Sequence, residues 1–86
     1  MTQELIEGML VKAKCDFEKD DINFAKGTIG RVEEMNGGYE VRIIWIRGRI
    51  TDDYGNELTV EGYDWWVDIE DIEPYSDNPN WKRRLE

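Results

Sequence analysis

The sequence predicts an all-β domain in which five short strands close into a small barrel. Apolar and polar side chains alternate with a period of two in several segments between Met9 and Pro74, which is the spacing of half-buried strands. Turn-forming residues separate these segments, and closure removes the hydrogen-bonding edges that an open sheet exposes. With 86 residues, 40% of them apolar and 36% charged, the chain has the size and composition of one domain.

The first strand is predicted from Met9 to Cys15, where apolar side chains occupy alternate positions. Cys15 falls on the apolar side of this strand, so we expect a buried and unreactive thiol. The polar segment from Asp16 to Lys26 is interpreted as a long loop. Three apolar side chains fix this loop: Phe17, Ile22 and Phe24. The second strand begins in Gly27–Val32, with Gly30 at a bulge or a sharp bend.

Asn36-Gly37-Gly38 is the clearest hairpin signal in the chain, because Asn and Gly accept the positive φ of tight turns. A third strand is predicted directly after this turn. Its expected core face consists of four alternating side chains: Tyr39, Val41, Ile43 and Trp45. Ile44 and Ile46 break the alternation, which predicts that the end of this strand is covered on both faces.

The segment from Arg47 to Gly62 is too long for a hairpin turn and is interpreted as an insertion before the fourth strand. Turn residues at Asp53–Asn56 lie between short apolar segments, which favours a protruding hairpin. The fourth strand is predicted from four alternating side chains: Tyr63, Trp65, Val67 and Ile69. A tight turn over Ile69–Asp71 then precedes a short last strand at Ile72–Pro74.

These elements divide the chain into an N-terminal extension over residues 1–8, a barrel over residues 9–75 and a C-terminal tail over residues 76–86. We expect one amphipathic turn of helix in the extension, closing one end of the barrel. The tail contains a basic run, Lys82-Arg83-Arg84. No apolar run reaches the roughly 18 residues of a membrane helix, and Met1–Leu10 has no signal-peptide pattern, so we expect a cytoplasmic protein.

Ala13–Phe17 followed by Ile22–Ile29 resembles the opening of a Src-homology-3 domain, where an Ala-x-Tyr-Asp-Tyr/Phe strand precedes an acidic loop and a Leu-x-Phe-x-x-Gly-Asp segment. Trp65-Trp66 is similar to the paired tryptophans of that family, and Pro74-Tyr75 to the Pro and Tyr near its last strand. The resemblance implies a Src-homology-3-like barrel of five strands.

The second half of the chain is similar to bacterial and phage barrels of the same fold. Those relatives have a Lys-Gly-x-x-Gly-x-Val strand, which Lys26–Val32 resembles. They end in a Trp-x-Val-x-x-Glu-Asp-Ile-Glu-Pro segment, which Trp66–Pro74 resembles. Together with the small acidic reading frame, this resemblance implies a bacteriophage accessory or host-takeover protein.

The Src-homology-3 resemblance also implies a groove that binds a protein partner. Its aromatic and apolar lining is expected from Phe17, Trp65, Pro74 and Tyr75, and its acidic wall from Glu18, Asp20 and Asp21. Alternation instead places Trp65 in the core and Trp66 on a polar face with Asp64 and Asp68, so which Trp is exposed stays open. An exposed Trp beside carboxylates fits a partner with basic and apolar groups.

Charge and residue content narrow the possible functions. Twenty acidic and eleven basic residues leave a net charge of −9, which opposes binding to phosphate backbones and anionic membranes. The chain has no His, a single Cys and no Gly-rich phosphate loop, so we expect neither catalysis nor an internal disulfide. Carboxylates around Asp52–Glu57 lack the spacing of an EF-hand and are interpreted as a solvated turn, so no metal or cofactor is expected.

We therefore expect a non-catalytic binding module, monomeric or weakly dimeric, that binds a protein. Two alternatives stay open. One is an acidic mimic of nucleic acid that inhibits a basic host protein. The other is a nucleic-acid-binding barrel with a basic and aromatic strip: Arg31, Arg42, Arg47 and Arg49, with Tyr39 and Trp45.

Overall fold

Nine strands and one 3-10 turn make up residues 5–75, the part of the chain that the computed structural model describes. The strands are β1 (Leu10–Ala13), β2 (Phe17–Lys19), β3 (Ile22–Phe24), β4 (Ile29–Met35), β5 (Glu40–Arg47), β6 (Ile50–Asp52), β7 (Glu57–Leu58), β8 (Asp64–Asp68) and β9 (Ile72–Pro74). The predicted tight turn at Ile69–Asp71 is confirmed as the 3-10 turn. Within residues 5–75 no helix is long and apolar enough to cross a membrane.

The strands form two antiparallel sheets. The first has the order β8-β5-β4-β1-β9, and the second has the order β2-β3-β6-β7. The all-β prediction is therefore confirmed. The predicted closed barrel of five strands is not confirmed, because the sheets are not joined by hydrogen-bonded strands and leave β8, β9, β2 and β7 as edges. Segments interpreted as a loop and an insertion supply the second sheet.

Residues 16–26 were predicted to form a long loop, and this prediction is wrong because the segment contains the β2–β3 hairpin. Lys19 pairs with Ile22, which leaves Asp20 and Asp21 as a two-residue turn. Both turn residues have positive φ, 54° and 67°. Two consecutive positive φ angles give a primed turn, whose twist matches that of paired strands. Asp tolerates this conformation, so the hairpin forms without the Asn-Gly or Asp-Gly pair that would have indicated it.

The core lies between the two sheets and is centred on aromatic contacts. Trp45 of β5 is fully buried, and its ring centroid is 5.0 Å from that of Phe24 of β3. Phe17 of β2 stacks on Phe24, with the two ring centroids 4.8 Å apart. Ile50, opposite Phe24 on β6, is also fully buried. The sequence prediction that Phe17, Ile22 and Phe24 fix this segment is confirmed, since all three pack in or against the core.

The described part of the N-terminal extension also packs on the core, but not as a helical turn. Leu5 is buried with the core cluster. Met9 donates a backbone hydrogen bond to Ile6 at 3.1 Å, and Gly8 donates one to Val32 at 2.7 Å. These bonds form a turn that leads directly into β1. Residues 1–4 of the predicted helical turn lie outside the described residues.

Three predictions about side-chain burial are wrong near strand ends. Tyr39, expected on the core face of β5, is 89% exposed, because β5 begins at Glu40 and Tyr39 belongs to the preceding turn. Ile46, expected to be covered, is exposed. Cys15 is likewise exposed, because β1 ends at Ala13 and the alternation does not extend to the thiol. Tyr39 and Cys15 lie beyond the strand ends, where alternation no longer applies, whereas Ile46 lies within β5 on the face opposite Trp45 and is not covered there.

The segment before the fourth strand contains the predicted hairpin, formed by β6 and β7. It completes the second sheet because β6 pairs with β3. Thr28, which is buried, joins this segment to the start of β4. Its hydroxyl accepts a hydrogen bond from the Arg49 amide at 3.1 Å, and it lies 3.2 Å from the Arg49 carbonyl, to which it donates.

Gly30 lies where β4 crosses the core, and the predicted bulge there is confirmed by a register shift between Ile29 and Gly30. A Cβ at this position would lie 3.0 Å from the Trp45 ring and closer still to Cγ2 of Ile43. The absence of a side chain therefore makes room for the buried face of β5.

We expect Gly30→Ala to lower the free energy of unfolding by about 1–3 kcal/mol, because an added methyl in a filled core forces its neighbours to move. The measurement is urea unfolding followed by Trp fluorescence. Gly38→Ala is the control, since its Cβ would meet only the exposed Asn36 side chain and loop backbone is free to adjust. Equal loss of stability in the two variants would contradict this account of the bulge.

Candidate functional site

Two surface depressions contain some of the residues predicted to bind a partner. The first, here called the hairpin depression, has a volume of about 500 Å³ and lies between the β2–β3 hairpin and the β6–β7 turn. Phe17 and Phe24 contribute aromatic lining, and Glu18 and Arg49 contribute charged lining. The second, here called the end depression, has a volume of about 750 Å³ and is lined by Pro74 among others.

The predicted groove is not a single cleft. Phe17 and Glu18 line the hairpin depression, whereas Pro74 lines the end depression. Trp65 and Trp66 line neither. Tyr75 follows β9, and its amide donates to the Leu10 carbonyl at 2.9 Å. Of the eight predicted residues, the four on the β2–β3 hairpin stay together: Phe17, Glu18, Asp20 and Asp21.

Beside the hairpin depression the structure gathers three exposed carboxylates, here called the acidic tip: Glu18, Asp21 and Asp53. Their carboxylate oxygens lie within 4.8 Å of one another. No salt bridge within residues 5–75 uses any of the three. Tyr54, next to Asp53 in the chain, is 89% exposed. The acidic tip is thus a concentration of negative charge, and the residue that follows Asp53 in the chain is an exposed aromatic one.

Asp53 was missed as a site residue because its position depends on strand pairing. It follows β6, and β6 pairs with β3 so that Asp52 lies opposite Ile22. This register places the residue after Asp52 near Asp21, the residue before Ile22. The turn residues around Asp53 were recognisable in the sequence, but their distance from the β2–β3 hairpin was not.

Adjacent carboxylates of the β6–β7 turn have opposite electrostatic environments. The pKa of Asp52 is lowered, because its carboxylate accepts hydrogen bonds from the Asn56 amide at 2.9 Å, the Asn56 side chain at 3.1 Å and the Tyr54 amide at 2.9 Å. The pKa of Asp53 is raised, because partial desolvation and the neighbouring Asp21 carboxylate disfavour its ionised form. The Asp52 carboxylate holds the turn together through these hydrogen bonds, whereas the Asp53 carboxylate lies close to the like-charged Asp21 carboxylate. The turn that was predicted to be solvated is therefore also held by hydrogen bonds to the Asp52 side chain.

The acidic tip supplies charge rather than an enclosed metal site. Ca²⁺ takes six to eight oxygen ligands from a surrounding cage. The three carboxylates belong to exposed side chains on two hairpin turns. A guanidinium or ammonium group, which needs only hydrogen-bond acceptors on one side, matches this arrangement more closely.

Lys19 connects the second sheet to the first. Its ammonium lies 2.5 Å from the Glu40 carboxylate of β5 and 3.0 Å from the Asp68 carboxylate of β8. The side chain is only 21% exposed, and the two hydrogen-bonded carboxylates raise its pKa. In addition, Trp65 donates its indole hydrogen bond to the Lys19 carbonyl at 3.3 Å. These contacts hold the β2–β3 hairpin against the edge of the first sheet.

The two adjacent tryptophans have different surroundings. Trp65 packs against the core and stacks on Tyr63, with ring centroids 5.6 Å apart. Trp66 is half-buried and lies opposite Arg42 in the β5–β8 register. The alternation that placed Trp65 toward the core is therefore confirmed, while Trp66 shares the other face with charged side chains.

Three of the four arginines in the predicted basic and aromatic strip are paired with carboxylates, while the exposed Arg47 makes none of the salt bridges in residues 5–75. Arg42 makes a two-point contact with Asp64, at 2.8 Å and 2.5 Å, and a longer one with Glu34 at 3.4 Å. The Arg31 guanidinium lies 3.9 Å from the Glu33 carboxylate, and the Arg49 guanidinium lies 3.4 Å from the Glu57 carboxylate. The predicted role of Trp45 in this strip is wrong, because its ring is fully buried and presents no face for a base to stack on.

Comparison with known proteins assigns no family to the chain. No family model, no curated protein and no solved structure matches it. The resemblance of its sequence to Src-homology-3 domains is thus without support from relatives. The arrangement of its own side chains is the basis for a functional proposal.

Removing Asp53 and removing Asp52 should change stability in opposite directions. At a pH above the usual pKa range of Asp, we expect Asp53→Asn to raise the melting temperature, because the raised pKa means that ionised Asp53 destabilises the fold. Asp52→Ala lowers it, because a depressed pKa marks a stabilising carboxylate, and that contribution disappears as the pH falls through the pKa. Thermal unfolding at pH 7 and pH 3 measures both, with exposed Glu61→Gln as control. Shifts of the same sign at pH 7 would contradict the assignment.

Loss of the Lys19 ammonium should destabilise the packing of the two sheets. We expect Lys19→Met to lower the melting temperature at pH 7, because the Glu40 and Asp68 carboxylates then face each other without their shared cation. The raised pKa means that the stabilisation is complete below the ordinary Lys pKa and is lost only as the pH rises through the higher folded value. Lys26→Met, at an exposed residue, is the control. Equal melting temperatures for the two variants would rule out this role.

Proposed function

We propose that the chain is a non-catalytic binding module that recognises a basic and apolar segment of a protein partner. The proposed binding surface is the hairpin depression together with the acidic tip. The main support for the proposal is that three carboxylates lie beside the aromatic lining of the depression. These carboxylates make none of the salt bridges in residues 5–75. The proposal keeps four of the residues expected from the sequence, Phe17, Glu18, Asp20 and Asp21, and adds Asp53 and Tyr54.

Electrostatics supports a cationic partner group. Carboxylates held within 4.8 Å repel one another, and the raised pKa of Asp53 reflects partial desolvation together with that repulsion. A guanidinium or ammonium between them replaces repulsion with charge-assisted hydrogen bonds, which are stronger than neutral ones. The net charge of −9 also steers a basic partner toward the chain at long range.

The apolar part of the depression supports an additional anchor. Phe17 is half-buried and stacks on Phe24, so its ring is held in place with one part accessible. A depression of about 500 Å³ accommodates a few side chains rather than an extended cofactor. Exposed Tyr54, which follows Asp53 in the chain, is an aromatic residue of the kind enriched at protein interfaces.

The arrangement of the strands supports a more specific proposal for the fold. In Src-homology-3 domains an acidic loop borders an aromatic groove, and the β2–β3 hairpin carries comparable residues in this chain. We infer a Src-homology-3-like arrangement of the strands on that ground, supported also by the confirmed order of turn, short last strand and Pro74. A bacteriophage accessory or host-takeover role, in the cytoplasm, is proposed from the sequence resemblance alone.

The other two functions receive less support. Arg31, Arg42 and Arg49 lie against carboxylates, and of the strip only Arg47 makes none of the salt bridges in residues 5–75, which leaves little cationic surface for nucleic acid. An acidic mimic of nucleic acid would bind a polycation through charge alone. It differs from the proposed module in needing no apolar anchor, and the two are separable by experiment.

Binding of short synthetic peptides tests the proposal. We expect fluorescence anisotropy to detect binding of labelled peptides that alternate Arg with Leu or Pro. Asp21→Lys or Asp53→Lys should weaken this binding about tenfold or more. A tenfold change corresponds to about 1.4 kcal/mol, which is less than the contribution of one charge-assisted hydrogen bond. Affinity should also fall as the pH decreases through the raised pKa of Asp53, because a bound cation favours its ionised form.

Glu61→Lys is the matched control, because Glu61 is an exposed carboxylate outside the depression and makes none of the salt bridges in residues 5–75. It makes the same change in charge and should leave the affinity within about twofold. Equal weakening by all three variants, or no binding by any peptide, would overturn the proposal. Equally tight binding of polylysine, which lacks apolar residues, would favour the nucleic-acid mimic instead.

A further inference from the structure

The end depression combines apolar lining with an acidic rim and does not belong to the surface proposed above. Its volume is about 750 Å³, the larger of the two described. The apolar lining comes from Leu5, Ile69, Ile72 and Pro74, and the acidic lining from Asp68, Glu70 and Glu73. Lys14 is the cationic lining residue. A ligand for this depression would therefore present an apolar group together with positive charge.

Negative charge at this end is only partly neutralised. Asp68 is bound by Lys19, and Glu73 lies 3.7 Å from Lys12. Glu70 is exposed and makes none of the salt bridges in residues 5–75. The neighbouring Asp71 carboxyl has a raised pKa because of desolvation and the nearby carboxylates, which outweigh the opposing cations.

The chain itself supplies a segment with matching chemistry. Pro74 lines the depression, so the segment that follows it starts at the rim. Trp81 is followed directly by Lys82-Arg83-Arg84, an aromatic residue joined to the densest basic run in the sequence. Five residues lie between Tyr75 and Trp81, and the six Cα-to-Cα steps that join them span at most about 20 Å. That span is sufficient to return to a depression whose rim it leaves.

We propose that the end depression is the docking site of residues 81–84 of the same molecule. Trp81 contacts the apolar lining of Leu5 and Ile69, and the basic side chains lie toward Glu70 and Glu73. This proposal does not depend on the proposed function, since the two surfaces share no lining residue.

Attachment favours the same molecule over a second copy. A short linker produces an effective concentration in roughly the millimolar range, so weak contacts are enough for docking. Exposed ion pairs alone contribute little, and the Trp therefore has to supply much of the contact. Two copies with a net charge of −9 each repel one another, which opposes docking between molecules.

Paramagnetic relaxation in the full-length chain tests this docking. Cys15 is the single cysteine and is exposed, so a nitroxide can be attached there without substitution. It follows Lys14, which is one of the residues that line the depression. We expect the label to broaden the indole N–H resonance of Trp81 in the ¹⁵N-labelled chain. Glu70→Lys should abolish that broadening, and so should high salt.

Glu61→Lys, the same charge change away from the depression, should leave the broadening intact. Arg83→Glu with Arg84→Glu should abolish it, and combining these two changes with Glu70→Lys should restore it in part. A Trp81 resonance that is not broadened in the unsubstituted chain, or that is broadened equally in Glu70→Lys, would overturn the proposal. So would broadening in a mixture of labelled ¹⁴N chain and unlabelled ¹⁵N chain, because contact would then be between copies.

Discussion

Burial of Trp45 against Phe24 joins the two sheets, because each ring belongs to a different one. Full burial of a Trp removes about 150–250 Å² from water, which stabilises the fold by roughly 4–6 kcal/mol. The buried indole N–H of Trp45 has no hydrogen-bond partner in the described part of the chain, which costs about 1–3 kcal/mol. The apolar contribution is the larger, and it depends on Gly30 leaving space beneath the ring.

The position of the candidate site follows from this contact. Phe17 stacks on Phe24, and Lys19 bridges to carboxylates of the first sheet, so β2 is held at both of its ends. A hairpin held in this way keeps Glu18 and Asp21 close to Asp53 in spite of their repulsion. The free energy gained in the core thus maintains an unfavourable arrangement of charge at the surface, which is a common property of binding sites.

Internal pairing of the basic side chains explains why an acidic chain has a strongly localised charge. Lys19 and Arg42 each bind two carboxylates, and Arg49 approaches Glu57. Cations that are engaged in this way cannot neutralise the acidic tip, which makes none of the salt bridges in residues 5–75. Net charge alone therefore understates the negative potential beside Phe17, and overstates it near the paired strands.

Local patterns in the sequence determined the all-β class, the Asn36-Gly37-Gly38 turn, the bulge at Gly30 and the buried alternation of Val41, Ile43 and Trp45. These features depend on residues close together in the chain, where side-chain alternation and turn conformations act directly. Only the tertiary structure decided that the β2–β3 and β6–β7 hairpins pair into a second sheet, and that Asp53 joins Glu18 and Asp21. Pairing between distant strands depends on register and on the packing of both faces, which no short segment encodes alone.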